Sequence, residues 1–213
     1  MKVIIENGCG EIIEKKSRFI AHVYNIENEE MALTYIEDIK KKYWDARHNC
    51  YAYVCGDIVK FSDDGEPGST AGKPILEVIK GENITNCLIV VTRYFGGVLL
   101  GTGGLVRAYT QSAKEGLDNA IVIEKIPGIE YTFDVDYTLV GKIQYASAKG
   151  DFYIKDITYE NLVRITAIVK KENENSFEKY ISELSGGKIM LDNKNSIYFG
   201  ENQGKIATFY TKE

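Results

Sequence analysis

The sequence feature that most constrains the fold is a mainly apolar run, CLIVVTRYF at residues 87–95, that leads directly into a glycine-rich stretch. A run with this many β-branched residues is typical of a strand that is covered on both faces of its sheet. Five of the chain's twenty glycines then occur between Gly96 and Gly104. Apolar residues at helical spacing follow, so we predict a helix over residues 103–119 with Thr102 as its candidate N-cap.

The rest of the first half alternates between short strands and helices. Apolar residues at every second position predict strands, and the spacing of Ala32, Ile36 and Ile39 predicts a helix that begins after Asn28. Acidic residues near the start of that helix and lysines near its end match the helix dipole. The predicted elements are strands at residues 2–6, 11–16, 18–25, 49–55, 57–61 and 120–124, the helix after Asn28, and a short helix from Pro74 to Ile79.

The second half has a simpler order of elements. Ile126-Pro127-Gly128 is its only Pro-Gly break, so we place a domain boundary there and expect domains at residues 1–127 and 128–213. The pattern after the break is the βαββαβ order of a ferredoxin-like domain. Its predicted elements are a strand at 130–135, a helix at 138–149, strands at 151–159 and 162–170, a helix at 176–185, a strand at 188–191 that 196–199 extends, and a last strand at 205–211.

Charge and cysteine content exclude several classes of protein. The 213 residues have a formal net charge of -5, divided almost evenly between the two halves, so bulk charge does not indicate a nucleic-acid partner. No apolar run approaches the roughly 18 residues of a membrane span, and the N-terminus lacks a signal-peptide core. The four cysteines form no C-x-x-C pair. We therefore expect a cytoplasmic protein with reduced thiols and no membrane partner.

The glycine-rich stretch fails the spacing of the nucleotide-binding motifs. A dinucleotide fingerprint needs G-x-G-x-x-G, but Val106 occupies the third glycine position. GSTAGKP also lacks the spacing of a phosphate loop. A glycine loop that enters a helix N-terminus still favours an anion, and Arg93 and Arg107 flank it. The alternative is that the glycines allow close packing while both arginines make surface ion pairs.

Acidic residues gather in the segments WDARHNCYAY and FSDDGEPGSTAGKP. Asp63, Asp64 and Glu66, together with His48, are enough oxygen and imidazole ligands for a divalent cation. No second histidine lies nearby to complete a zinc site, so a structural role for His48 is favoured. A nucleophilic Cys50 activated by His48 is geometrically allowed on a strand but has no further support.

Aromatic residues lie near the same segments, among them Tyr94, Phe95 and Tyr109. Aromatic side chains beside arginine suit single-stranded RNA, because unpaired bases stack on aromatic rings and guanidinium planes. Core packing is the more common use of such residues. The aromatics therefore allow RNA binding without requiring it.

Three motifs in this order and spacing resemble the YigZ/IMPACT family: WDARHNCYAYVCG, FSDDGEPGSTAGKPILEVI and LIVVTRYFGGVLLGTGGLVRAYTQSA. The resemblance implies an α+β protein with two domains. The first is expected to be an α/β domain similar to the second domain of ribosomal protein S-five. The second is expected to be a ferredoxin-like βαββαβ domain similar to the last domain of elongation factor G. Both of those relatives touch RNA on the ribosome, so the resemblance favours a translation-associated binding protein.

The shared motifs of the family also imply a binding surface for a ligand or RNA. We predict no catalytic residue, no cofactor and no metal for it, and RNA, the ribosome or a protein as partner. The alternative is a metal-assisted hydrolase of a small anionic substrate that uses His48 and the acidic residues. The oligomeric state is left open. The predicted surface contains Arg47, His48, Asp63, Asp64, Glu66, Gly68, Lys73, Arg93, Tyr94, Gly96, Gly97, Gly101 and Arg107.

Overall fold

The computed structural model of the chain describes residues 1–202 and 205–210. The chain forms two compact units, one ending at Ile123 and the other beginning at Glu124. Across the described residues, no helix is both long enough and apolar enough to span a membrane. The mixed α and β architecture with a ferredoxin-like second domain agrees with the sequence prediction.

The N-terminal unit is built on a five-stranded antiparallel sheet with the order β2-β3-β6-β4-β5, and β1 pairs with β7 in a separate two-stranded sheet. Its elements in chain order are β1 Lys2–Glu6, β2 Gly8–Glu14, β3 Ser17–Asn25, α1 Glu29–Lys42, β4 His48–Cys55, β5 Ile58–Ser62, α2 Gly72–Gly81, β6 Cys87–Tyr94, α3 Thr102–Asp118 and β7 Ile121–Glu124.

The central strand β6 is covered on both faces, as the apolar run predicted. Ile89 and Val91 belong to the core formed with α2 and α3, whereas Leu88 and Val90 belong to the core formed with α1. Because side chains alternate along a strand, Arg93 lies on the same face as Ile89 and Val91, toward α2 and α3. This alternation places one arginine at the end of a buried strand.

Two helices begin at residues other than the predicted ones. Helix α2 begins at Gly72 rather than Pro74, and the backbone N–H groups of Ala71 and Gly72 donate to Asp63 Oδ1 at 3.0 and 2.9 Å. Helix α3 begins at Thr102, and its N-cap is Gly101 with φ of 72°. Thr102 as N-cap was therefore wrong. A left-handed backbone at this position favours glycine over threonine.

The C-terminal unit is a five-stranded antiparallel sheet with the order β12-β11-β8-β10-β9. The four strands of the βαββαβ unit have the ferredoxin-like arrangement, and β12 adds an edge strand. Phe133, Phe152 and Phe177 form part of its core with the two helices. The elements are β8 Ile126–Val135, α4 Tyr137–Ala148, β9 Tyr153–Tyr159, β10 Val163–Lys170, α5 Glu174–Ser185, β11 Asp192–Asn202 and β12 Lys205–Tyr210.

A predicted strand and a predicted linker of the second half differ from the structure. The strand predicted at 188–191 is wrong, because β11 begins at Asp192. Pro127 and Gly128 lie within β8, where Gly128 packs so closely against Phe199 that a larger residue would overlap its ring. The Pro-Gly pair therefore lies in a packed strand and not in a linker. The two compact units divide four residues earlier than predicted. The predicted end of the last strand at Thr211 lies outside the described residues.

Candidate functional site

A cleft of about 350 Å³ opens in the N-terminal unit, where α3 begins. Its walls are formed by the end of β6, the start of β4, the acidic loop (residues 63–71) between β5 and α2, and the glycine loop (residues 95–101) between β6 and α3. Of the sequence-predicted site residues, the cleft brings together Arg47, His48, Glu66, Arg93 and Gly101. Arg93 and Glu66 of the acidic loop therefore share one cleft, whereas Arg107 does not line it.

A buried ion pair forms the floor of this cleft. Arg93 Nη1 donates to Glu66 Oε1 at 2.6 Å, and the side chains of Arg93 and Glu66 are 6% and 3% exposed. The hydroxyl of Tyr109 donates to the same Glu66 oxygen at 2.8 Å. A charge-assisted hydrogen bond in a dry site is strong, and this one joins the loop after β5 to β6 and α3.

Cys50 lies beneath this ion pair and is not an activated nucleophile. Its Sγ lies 3.3 Å from the Tyr109 hydroxyl oxygen and 3.0 Å from the backbone carbonyl oxygen of Asp63. Burial raises the pKa of the Cys50 thiol well above its ordinary value, and burial also raises the pKa of Tyr109. Both groups are therefore protonated at neutral pH and act as hydrogen-bonding core residues.

His48 is oriented by the acidic loop. Its Nδ1 lies 2.7 Å from the backbone carbonyl oxygen of Asp64. Because a carbonyl oxygen accepts hydrogen bonds and cannot donate them, we assign the proton to Nδ1. Nε2 lies 3.9 Å from Glu66 Oε2, and His48 lines the cleft. The imidazole is thereby an acceptor at the cleft wall when neutral.

The two aspartates of the acidic loop bind the protein itself. Asp63 accepts three backbone hydrogen bonds, from Ser69 and from the two residues at the start of α2. Asp64 accepts the backbone N–H of Asn49 at 2.7 Å and pairs with Lys40 at 3.0 Å. Within residues 1–202 and 205–210, no group of three histidine, cysteine, aspartate or glutamate side chains is placed to hold a metal ion. The geometry therefore gives no support to the metal-assisted hydrolase hypothesis.

Two arginines share one aromatic ring at the cleft. The guanidinium carbons of Arg47 and Arg93 lie 5.4 and 5.6 Å from the centroid of Phe95, and that of Arg93 also lies 5.4 Å from Phe19. Such cation–π contacts position a guanidinium without neutralising it. Arg47 is exposed, and among the described residues it has no ion-pair partner.

The glycine loop delivers an uncapped helix N-terminus to the same cleft. Gly101 and Thr102 line it, and no described side chain makes a capping hydrogen bond to α3. The first turn of α3 contains no acidic residue. At the other end of the loop, Gly96 packs against the backbone of Lys16, where a Cβ atom would overlap. The first backbone N–H groups of α3 are therefore free to bind an anion.

The remaining sequence-predicted residues lie outside the cleft walls. Tyr94 points to the other face of the sheet and donates to Asp45 at 2.8 Å. Lys73 and Arg107 are exposed on α2 and α3, and Gly68 is exposed in the acidic loop. Gly97 lies in the glycine loop with φ of 83°. None of these residues lines the cleft.

Sequence reasoning missed the apolar part of the cleft. Leu99, Leu100 and Leu105 line it together with Phe95, and the Leu99 side chain is 83% exposed. The available signal was a pair of leucines in the middle of a glycine-rich loop, where turn-forming polar residues are usual. The cleft thus combines a cationic wall with an apolar one.

The chain belongs to a class of two-domain proteins. Its α/β domain has an arginine-lined cleft, and a ferredoxin-like domain follows. The Impact N-terminal domain matches residues 15–117, and a domain of unknown function, DUF1949, matches residues 133–188. The IMPACT family member YvyE of Bacillus subtilis is 44% identical over 86% of this chain and 86% of its own length. The chain belongs to the IMPACT family.

Two further comparisons cover most of the chain. The IMPACT family member YigZ of Escherichia coli is 35% identical over 83% of this chain and 89% of its own length. A crystal structure of a protein described as hypothetical aligns with a TM-score of 0.57 and 32% identity, over 89% of this chain and 95% of the other. The match to YigZ agrees with the resemblance in the sequence motifs.

Proposed function

We propose that this chain is a translation-associated regulatory protein that binds RNA or a ribosomal surface through the N-terminal unit. The translation role is what the family resemblance implies. The observation that supports RNA binding is the pair of guanidinium groups, Arg47 and Arg93, around the exposed ring of Phe95. Unpaired RNA offers both a phosphate for the guanidinium and a base for the aromatic or guanidinium plane.

The local charge balance also supports an anionic ligand. Four ionisable residues line the cleft, and with His48 neutral their charges sum to +1, because Arg47 and Arg93 outweigh Glu66. Asp63 and Asp64 would repel phosphate if they were free. The backbone N–H groups that bind Asp63 and the Lys40 that pairs with Asp64 offset those charges. A positive patch therefore exists within a chain whose net charge is -5.

The test is binding of short single-stranded RNA at low salt, measured by fluorescence anisotropy, together with ribosome co-sedimentation. Arg47→Gln is expected to weaken binding and to reduce the salt dependence by about 0.7 in the logarithmic slope, the value for one phosphate contact on a single strand. Lys80→Gln is the matched control, because Lys80 is an exposed cation in the last turn of α2. Absence of both saturable RNA binding and co-sedimentation would exclude the proposed function.

The partner could instead be a protein. The same ribosome preparation, treated with nuclease, distinguishes a protein partner from RNA. If ribosome or lysate proteins are retained after nuclease treatment while short RNA does not bind, the partner is a protein. If nuclease treatment releases what was bound, and Arg47→Gln weakens the association more than Lys80→Gln, RNA binding is supported.

A further inference from the structure

The cleft contains an unused set of hydrogen-bond donors. Arg93 is 5% exposed, yet its Nε is buried and has no hydrogen-bond partner among the described residues. Among the described residues, the guanidinium makes one side-chain hydrogen bond, through Nη1, although it has five N–H donors. A buried donor without a partner costs about 1–3 kcal/mol, and Arg93 lines the cleft, so this residue indicates a missing acceptor.

A second, independent set of donors lies in the same cleft. The first backbone N–H groups of α3, a helix of 17 residues, have no side-chain cap among the described residues, and Thr102 lines the cleft. The helix dipole adds partial positive charge at this end. The two features, a free arginine nitrogen and a free helix N-terminus, select an anion with several acceptor oxygens.

The apolar wall indicates that the ligand has an apolar part in addition to the anion. Phe95 and Leu99 are 38% and 83% exposed at the rim. A cleft of about 350 Å³ is at the lower end of the range of about 300–1,000 Å³ for small-molecule sites. An anion with a flat, partly apolar body of this size fits both walls, and a single nucleotide has those properties.

We infer that the cleft binds one nucleotide, with its phosphate at the N-terminus of α3 and the free nitrogens of Arg93 and its base against Phe95 and Leu99. The acceptor Nε2 of His48 lies at the wall for a donor on the base or sugar. The inference deepens the proposed function. It rests on that function for one source of the nucleotide, which is a strand of RNA. The other source is a free mononucleotide.

The first experiment measures AMP binding to the full chain by isothermal titration calorimetry, with adenosine, ribose 5-phosphate and inorganic phosphate in parallel. We expect AMP to bind with a dissociation constant on the order of 1 mM or below, and at least about tenfold more tightly than inorganic phosphate. Adenosine is expected to bind at least about tenfold more weakly than AMP, because it lacks the anion. Equal binding of AMP and adenosine overturns the assignment of the phosphate site.

The decisive variants are at Thr102, because replacing Arg93 breaks the buried ion pair and endangers folding. Thr102→Glu places a carboxylate at the first position of α3, which favours the helix and repels a phosphate. Thr102→Gln has a similar size without charge. We expect Thr102→Glu to weaken AMP binding at least about tenfold and Thr102→Gln less than about threefold, with unchanged circular dichroism for both. Equal AMP affinity for the two variants overturns the inference.

Binding of short RNA, with and without a 5′-phosphate, then tests whether the nucleotide at this site belongs to a strand of RNA. RNA binding that Thr102→Glu weakens supports both the inference and the proposed function. RNA binding that Thr102→Glu leaves unchanged excludes RNA as the source of the nucleotide and leaves the proposed function standing, so that the AMP measurements alone decide the inference. AMP binding without RNA binding supports the nucleotide site and assigns it to a free mononucleotide. Absence of binding by AMP and by RNA overturns both.

Discussion

Replacing Glu66 with alanine is expected to destabilise the N-terminal unit strongly. The substitution leaves the Arg93 guanidinium, 6% exposed, without its counter-charge at 2.6 Å, and it leaves the Tyr109 hydroxyl without its acceptor at 2.8 Å. Removing one partner of a buried ion pair costs about 3–5 kcal/mol. Glu66→Gln keeps an acceptor oxygen for both donors, so its cost is expected to be smaller, about 1–3 kcal/mol.

The assay is native-state hydrogen exchange on the full chain, read by mass spectrometry. A single unfolding free energy is not well defined for a chain with two units, whereas exchange is assigned to each segment. Peptides from β3 and β6 are expected to lose protection, and peptides from β8 and β10 serve as the internal control. Glu82→Ala is the matched variant, because Glu82 forms an exposed pair with Lys2 and is expected to cost less than about 1 kcal/mol.

A double variant distinguishes an uncompensated charge from lost packing. Glu66→Ala with Arg93→Met removes both charges and keeps an apolar side chain between Phe19 and Phe95. We expect the pair to be more stable than Glu66→Ala alone, since the buried charge is gone. The reasoning is refuted if Glu66→Ala costs less than about 1 kcal/mol, or if the double variant is less stable than the single one.

Three further predictions concern other groups in the N-terminal unit. Burial and nearby Lys42 lower the pKa of His22 to about 4, so the unfolded chain takes up its proton first, and stability is expected to fall as pH falls from 6.5 toward 4. His22→Gln should flatten the pH dependence of the opening free energy of the N-terminal unit over that range, measured by hydrogen exchange, by about 1–3 kcal/mol in total. Gly96→Ala should lower the hydrogen-exchange protection of β3 and β6 and the AMP affinity, because its Cβ overlaps Lys16, whereas Gly68→Ala meets open space and should change neither. In a thiol-labelling time course at neutral pH, exposed Cys9 should react and buried Cys50 should not; fast labelling of Cys50 in the folded chain would contradict its assignment to the core.

The main elements of the fold could be predicted because their signals are local. A continuous apolar run predicted the two-sided strand β6, and the change to helical spacing predicted α1, which begins after Asn28 as expected. Boundaries were predicted less well. Glycine at position 101 takes a left-handed backbone and moves the N-cap by one residue, and Pro127 is accommodated in strand β8. A sequence pattern does not show which backbone angles the surrounding packing will impose.

The candidate site depended more on tertiary structure. The motifs indicated that Arg93, the glycine loop and the acidic loop belong together, but they did not show which acid pairs with which base. Glu66 lies 27 residues from Arg93 and 43 from Tyr109 in the chain, and its binding to both is set by how β6 and α3 pack. Asp63 resembled a metal ligand, yet in the structure it binds backbone N–H groups at the start of α2.

The sequence by itself determined the periodicities, the order of elements and the family, because each of these follows from the spacing of residues and motifs along the chain. Only the tertiary structure decided which charges are neutralised and which remain free, because burial and pairing depend on neighbours that are distant in sequence. Arg107 and Arg93 flank the glycine stretch symmetrically in the sequence. In the fold, Arg107 is exposed on α3, whereas Arg93 is buried, lines the cleft and has an Nε with no hydrogen-bond partner among the described residues.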